Sequence, residues 1–202
     1  MFWHLLKVIT AYRPNKFSKQ IKQATKKLHD EIESHPFFKS MIDGTLSDEQ
    51  YYVYLFNLLP IYKSVEFFVL DGSLNSDIKQ SDKIQRDIVE YSKICSHVRL
   101  DANVFFCNKW LDHFNSKDKF YKKAELYIRW LADMYGGQIL KRKIKFGNKY
   151  VFKDVRGSIK RIRKLIEKNL DETNVDKFIE EVNIAYAFHK DLADKIMMLK
   201  LT

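Results

Sequence analysis

Three groups of residues in this 202-residue chain have the types and spacing to do chemistry. The first is His29 with Glu33 one helical turn later. A metal-ligating imidazole needs its second ring nitrogen held by a carboxylate or carbonyl, and Glu33 is placed to hold it. Lys22 and Lys26, spaced four and three from each other and from His29, fall on the same side of a helix. A lone histidine is more often structural or a surface residue. The second group is Asp133 followed by Gly136-Gly137. Each glycine inside a helix costs about 1 kcal/mol relative to alanine, and the pair invites a kink. It also strips the helix of side chains, so a flat group can lie against the backbone. Asp133, one turn before, can hold a polar group or water above that surface. The competing reading is a helix end, but the apolar-basic pattern runs on past the pair, which favours a bent, continuous helix. The third group is basic. Lys160 and Lys164 share one helix face, with Arg161 and Arg163 on others. Solvation is the default for such a helix, and nucleic-acid binding is a further use.

The elements that must carry these groups are helical throughout. Residues 17–34 read as a helix capped by Ser18, with Ile21, Thr25, Leu28 and Ile32 on its apolar face. Pro36 breaks it, and a short segment then ends at Gly44. Ser47 to Gln50 forms a capping box opening a helix to about Leu70, which Pro60 should kink. Tyr54, Leu55, Leu58, Tyr62 and Val65 are its core side. Residues 71–77 are a loop, and 78–97 and 103–114 are two more helices. The glycine helix spans roughly 117–146, with apolar positions at Ile128, Leu131, Ala132, Tyr135, Ile139 and Leu140. Residues 147–157 form a loop or small hairpin, after which Ser158 caps the basic helix. A last helix, capped by Asn174 or Thr173, carries the stripe Phe178, Val182, Ala185, Tyr186, His189, Leu192 and Ile196 to about Leu199. His189 is read as structural, and His97 and His113 as surface residues.

Composition agrees. With 6 glycines and 3 prolines, the chain has little turn chemistry, and its length suits one domain with a substantial core. Residues 1–17 are read as an N-terminal extension packed on the body, and 18–202 as the helical domain. The formal net charge of +10 favours acidic proteins, anionic surfaces or carboxylate ligands. Cys95 and Cys107 show no metal-ligand spacing and fit a reducing, cytoplasmic compartment. No apolar run approaches a membrane span. There is no Rossmann glycine motif or iron–sulfur cysteine set, and no Glu-x-x-His pair of the kind that builds di-iron helical sites.

Two stretches resemble the haem oxygenase family. Tyr127, Arg129, Leu131, Asp133, Gly136, Gly137, Gln138 and Leu140 match its distal-helix motif, with Ala132 and Tyr135 in place of the family's Gly and Ser. Lys22, Ala24, Thr25, His29 and Glu33 match its proximal helix, in the right order along the chain. Tyr62 and Glu66 match a Tyr-x-x-x-Glu ending of the second long helix. The resemblance implies an all-α, single-domain bundle with haem between a proximal and a kinked distal helix. It implies that His29 is the axial ligand of haem iron and Glu33 its orienting partner. Asp133 would hold a proton-donating water, and Gly136, Gly137 and Ala132 would face the haem. Lys22, Lys160, Lys164 and the Tyr127 hydroxyl would meet its propionates, and Tyr186 would line the pocket.

The resemblance further implies the reaction: haem b, substrate and cofactor at once, is opened by O2 with electrons from an external donor, giving biliverdin, CO and ferrous iron. The lysines favour the IXα isomer. A small acidic ferredoxin or a flavoprotein reductase suits the basic surface, and a biliverdin reductase would act downstream, for iron release or bilin synthesis. No nucleic-acid partner and no integral membrane segment are expected. The main alternative is a haem carrier or sensor on the same fold that does not degrade its ligand. A cofactor-free relative would need a cysteine nucleophile, for which neither cysteine has a motif.

Overall fold

A computed structural model describes residues 16–69 and 78–201. The N-terminal extension up to residue 15 and the expected loop at 71–77 lie outside the described residues. Among the described residues there are nine α-helices and no strand. They are α1 (Lys16–Ala24), α2 (Lys26–Ser34), α3 (Pro36–Asp43), α4 (Asp48–Val69), α5 (Ser81–Ile94), α6 (Asn108–Ser116), α7 (Leu131–Leu140), α8 (Val155–Glu167) and α9 (Val175–Met198).

α4 is the axis of the bundle. Ser47 opens it as the sequence predicts: the Gln50 N–H donates to the Ser47 hydroxyl at 3.1 Å and the Ser47 N–H to the Gln50 side chain at 3.4 Å. Tyr51 through Leu55, then Leu58, Ile61, Tyr62 and Val65, are buried. Burial on nearly every side is what a central helix requires. At its far end Glu66 accepts the backbone N–H groups of Gln80 and Ser81, closing the start of α5 against it. α9 lies across this axis. Its stripe Phe178, Val182, Ala185, Leu192 and Ile196 is buried, and it touches α1, α2, α3 and α4.

The first helix divides where the sequence predicts one continuous run. Thr25 turns its hydroxyl back onto the Ile21 carbonyl at 2.8 Å, competing for the acceptor its own N–H uses at 3.0 Å. That back-bonding loosens a helix, and α1 ends at Ala24. Ser18 is inside α1 rather than at its cap, and its hydroxyl donates to Glu167 at 2.6 Å. α3 ends as expected on Gly44, whose φ of +76° suits a residue without Cβ.

The glycine helix also differs. The sequence places its irregularity at Gly136-Gly137, yet α-helical bonding runs through both. The departure lies a turn earlier, in a π turn over Leu126–Trp130. The helix stops at Leu140 and not near 146, its last carbonyls taken by the tight turns that follow. α8 starts earlier than predicted: Asp154, not Ser158, is the cap, accepting from the Gly157 N–H at 2.9 Å. Between these helices the expected loop contains a single 3-10 turn, Asn148–Tyr150. Buried Asp87 of α5 holds that turn. It accepts the Asn148 N–H at 2.9 Å, the Asn148 side-chain amide at 2.7 Å and the Lys149 N–H at 2.9 Å. Hydrogen bonds to a charged acceptor are among the stronger ones, so Asp87→Ala is expected to lower unfolding stability by about 3 kcal/mol. Urea denaturation at neutral pH measures this, and a loss within about 0.5 kcal/mol contradicts the role given to Asp87.

Candidate active site

α2, α3, α4, the π turn, α7, α8 and α9 surround one cleft, with about 1190 Å³ of space free of protein atoms, open solvent at its mouth included. His29 and Glu33 of α2 line it, as do Tyr127, Ala132, Asp133 and Gly136 from the glycine segment and Tyr186 from α9. Seven of the residues singled out by sequence therefore meet in one cavity.

The His29 ring sits between two carboxylates, with Nδ1 3.8 Å from Asp30 and Nε2 3.8 Å from Glu33. Burial holds its imidazole below the usual histidine range, against the pull of Glu33 and Asp30. A neutral ring is the form that can donate a lone pair to a metal. The Oε1 atom of Glu33 is buried with no hydrogen-bond partner, an acceptor waiting for a donor. Tyr186 meets the His29 ring edge-on, with centroids 6.2 Å apart, and fixes one side of it.

On the glycine segment the two glycines have separate tasks. Gly136 lines the cavity, and having no side chain it presents main chain there. Gly137 does not. A Cβ on it would stand 2.8 Å from the ring of fully buried Tyr150, so its bareness serves packing behind the wall. Ala132 adds its methyl to the cavity face. Asp133 is buried and engaged on both oxygens: Tyr62 donates to Oδ2 at 2.6 Å, and the buried ammonium of Lys149 pairs with Oδ1. Nothing in the pattern around Lys149 separates it from other surface-type lysines, and the sequence reading missed it. The Tyr62 match to the family was legible; its partner was not.

Lys22, Lys160 and Lys164 are exposed and do not line the cleft. Ile159, Ile162 and Ile166 turn the inner face of α8 to the core, and it is Arg163 that this rotation carries to the cavity. Its guanidinium donates to the Tyr135 hydroxyl at 3.0 Å. Lys22 stands close enough that its ammonium is held below the usual lysine range, by burial and then by repulsion from Arg163. Arg163 is thus the cation on the cavity wall, and Lys22 stands near it without lining the cavity. Tyr127 is half-buried beside them.

His189, read from sequence as structural, lies on the cavity wall. Arg129 donates to its Nδ1 at 2.8 Å and Phe38 stacks on it at 4.8 Å. A guanidinium can only donate, so Nδ1 carries no proton and the neutral ring has its N–H on Nε2, 3.4 Å from the Tyr54 oxygen. Arg129 is itself paired with Glu125 at 2.6 Å, and Glu125 also accepts the Trp110 N–H at 2.6 Å. His113, expected at the surface, is half-buried with Nε2 2.8 Å from Glu181. The thiols of Cys95 and Cys107 are buried outside the cleft and pushed up by that burial, to about 11 and about 12. Neither is placed as a nucleophile.

A family profile described as "Heme oxygenase" matches residues 15–195. This chain belongs to the haem oxygenase family. It is 27% identical over 144 residues to a heme oxygenase of Guillardia theta, and 25% identical over 146 residues to one of Pyropia yezoensis. Each alignment covers 63% of this chain and 58% of the relative, so the match spans little more than half the relatives' length. Among solved structures, heme oxygenase-1 of Synechocystis sp. PCC 6803 in complex with heme superposes with a TM-score of 0.74 at 19% identity, over 90% of this chain and 92% of that one. The heme oxygenase of Leptospira interrogans gives the same TM-score at 17% identity, over 90% and 100%. The haem oxygenase fold is therefore shared well beyond the reach of sequence likeness.

Two predictions follow from the site's geometry. Gly137→Ala is expected to lower unfolding stability by about 1–3 kcal/mol through its clash with Tyr150, whereas Gly136→Leu is expected to fill the cavity and abolish ligand uptake while the unfolding midpoint changes less. Thermal unfolding together with a ligand titration separates the two. His189 is held well below its ordinary value of 6.5, first by burial, then by Arg129 and Lys149. A depressed histidine contributes stability that is fully present above the unfolded-state value and is lost as pH falls below it. Stability should therefore fall as pH drops below about 6.5, and His189→Phe should flatten that slope in unfolding titrations.

Proposed function

We propose that this chain binds haem in the cleft and opens it oxidatively, with O2 and externally supplied electrons, to biliverdin, CO and ferrous iron. The observation that carries the reading is the placement of His29 and bare Gly136 on the walls of one large cavity. The residues fit the group. A tetrapyrrole needs a neutral nitrogen donor, a flat wall, apolar sides and cations for two carboxylates. His29 supplies the donor, and the orphaned Glu33 oxygen is the acceptor that would fix its ring. Gly136 and Ala132 form a close wall without bulky side chains, and Ile32, Met41, Ile128 and Leu131 line the sides. Lys22 and Arg163, with the Tyr127 and Tyr135 hydroxyls, are the groups for the propionates, each such contact contributing roughly 1.5–3 kcal/mol when partly desolvated. Lys160 and Lys164, exposed on α8, would act through their long stems at the rim.

Bound haem supplies the iron that activates O2 and the ring carbon that is oxidised. The protein's own part is to hold and to exclude. Asp133, fixed by Tyr62 and Lys149, keeps remaining acceptor capacity on its carboxylate, with which it would hold a water and pass a proton at the distal face. Tyr186 and Phe38, which line the cavity, would help a bound ligand exclude water, which strengthens each polar contact inside it. The choice of the IXα isomer would follow from how Lys22 and Arg163 fix the propionate edge. The net charge of +10 would steer a small acidic ferredoxin or flavoprotein as donor. No helix among the described residues is long and apolar enough to cross a membrane.

A second reading, haem binding without degradation, draws on the engagement of both Asp133 oxygens. One experiment separates them. Purified protein is titrated with hemin, then given ferredoxin, its reductase and NADPH, and the appearance of biliverdin is followed by absorption. Saturable uptake and biliverdin are expected; uptake without biliverdin favours the carrier. His29→Ala should remove the iron's histidine-ligated spectrum. Asp133→Ala should still take up hemin but form biliverdin at least about tenfold more slowly; a normal yield contradicts the role of Asp133.

A further inference from the structure

The ammonium of Lys149 touches Asp133, and its charge is the strongest polar feature that the haem reading leaves unexplained. Its residue is 1% exposed, and it reaches the back of the cavity wall from the 3-10 turn that Asp87 pins. It pairs with Asp133 Oδ1 and lies 5.0 Å from the centre of the Tyr62 ring and 4.6 Å from that of Tyr150. Asp133, Tyr62 and Tyr150 all line the cavity; Lys149 does not. Taking an ammonium this far from water is costly. Burial does hold it below the usual lysine range, with Asp133 pulling the other way. An apolar side chain of the same length would fill the space at less expense, so the charge itself calls for an explanation. The tether is specific: the backbone N–H of Lys149 is bonded to one buried carboxylate and its side chain to another.

We propose that Lys149 is a positioning residue, which from behind the wall fixes the Asp133 carboxylate and cancels its charge, so that a ligand in the cavity meets an oriented acceptor and not a net negative wall. This rests on the haem reading, since the ligand whose charge matters is the one on the iron side of Asp133. Without the ammonium, the carboxylate would stand as an uncompensated anion beside the cavity. Small anions bound at the iron would then be repelled, because a unit charge in so dry a place is poorly screened.

Azide, an anionic ligand of ferric haem, is the probe. Its dissociation constant is measured by absorption titration of the hemin complex, at one pH and salt concentration, for the wild type, Lys149→Met, Lys149→Arg, Asp133→Asn and the Lys149→Met/Asp133→Asn double variant. Lys149→Met should weaken azide by about tenfold or more. Lys149→Arg, which keeps the charge, should stay within about threefold of wild type. Asp133→Asn, which leaves the ammonium in excess, should tighten azide, and the double variant should return to within about threefold of wild type. A purely structural role for Lys149 would make the double variant no better than Lys149→Met, and that result overturns the proposal. So does an unchanged azide affinity in Lys149→Met. If Lys149→Met does not fold, the decision passes to Asp133→Asn, where an unchanged affinity overturns the proposal. Absence of saturable hemin uptake by the wild type overturns the haem reading and this proposal together, whereas normal uptake with charge-independent azide binding overturns this one alone.

Discussion

Charge buried from water must be answered by opposite charge at close range, and that rule shapes the wall of the cleft. Two such answers join it to the interior. Arg129 is held by Glu125 and reaches His189; Lys149 is held by Asp133, with Tyr62 closing the second oxygen. Breaking either pair would strand a charge in a dry interior, at a cost of several kcal/mol. The groups that face the cavity are therefore fixed from the rear. Apolar packing alone is permissive of small rearrangements. An open cleft has few contacts across it, so its geometry depends on networks of this kind.

The helical class and most elements could be read from the sequence, because apolar periodicity and the Ser47 capping box are local signals. His29, Glu33, Asp133 and Gly136 do meet in one cavity, since their spacing on single helices brings each to a predictable face. What escaped was not local. The π turn over Leu126–Trp130 ends on Trp130, whose N–H is taken by the carbonyl of Ile78, fifty-two positions away. The two members of Gly136-Gly137 look equivalent in a string of letters. They differ because Tyr150, thirteen positions on from Gly137, returns against one of them and not the other. Lys149 is the extreme case. A lysine in a short loop reads as solvated until Asp87, sixty-two positions away, is seen to hold its backbone.

The cation side of the cleft makes the same point about helix rotation. Lys160 and Lys164 satisfy the spacing of a two-pronged anion site, yet the buried isoleucines of α8 decide which residue faces in, and that is Arg163. A guanidinium with a tyrosine hydroxyl beside it offers directed, planar donors where a lysine offers a mobile point charge. The edge of the cavity is thus more rigid than the number of lysines in its vicinity implies.

His189 has one last implication. An imidazole coordinates iron only through an unshared electron pair, and this ring has none to offer: Arg129 occupies the pair on Nδ1, and Nε2 bears the proton directed at Tyr54. A pocket with a histidine on more than one wall runs the risk of gripping its metal from both sides and sealing it against gases. Here the guanidinium holds the spare ring's free electron pair, so that His189 would not serve as a second ligand to a metal held in this cavity.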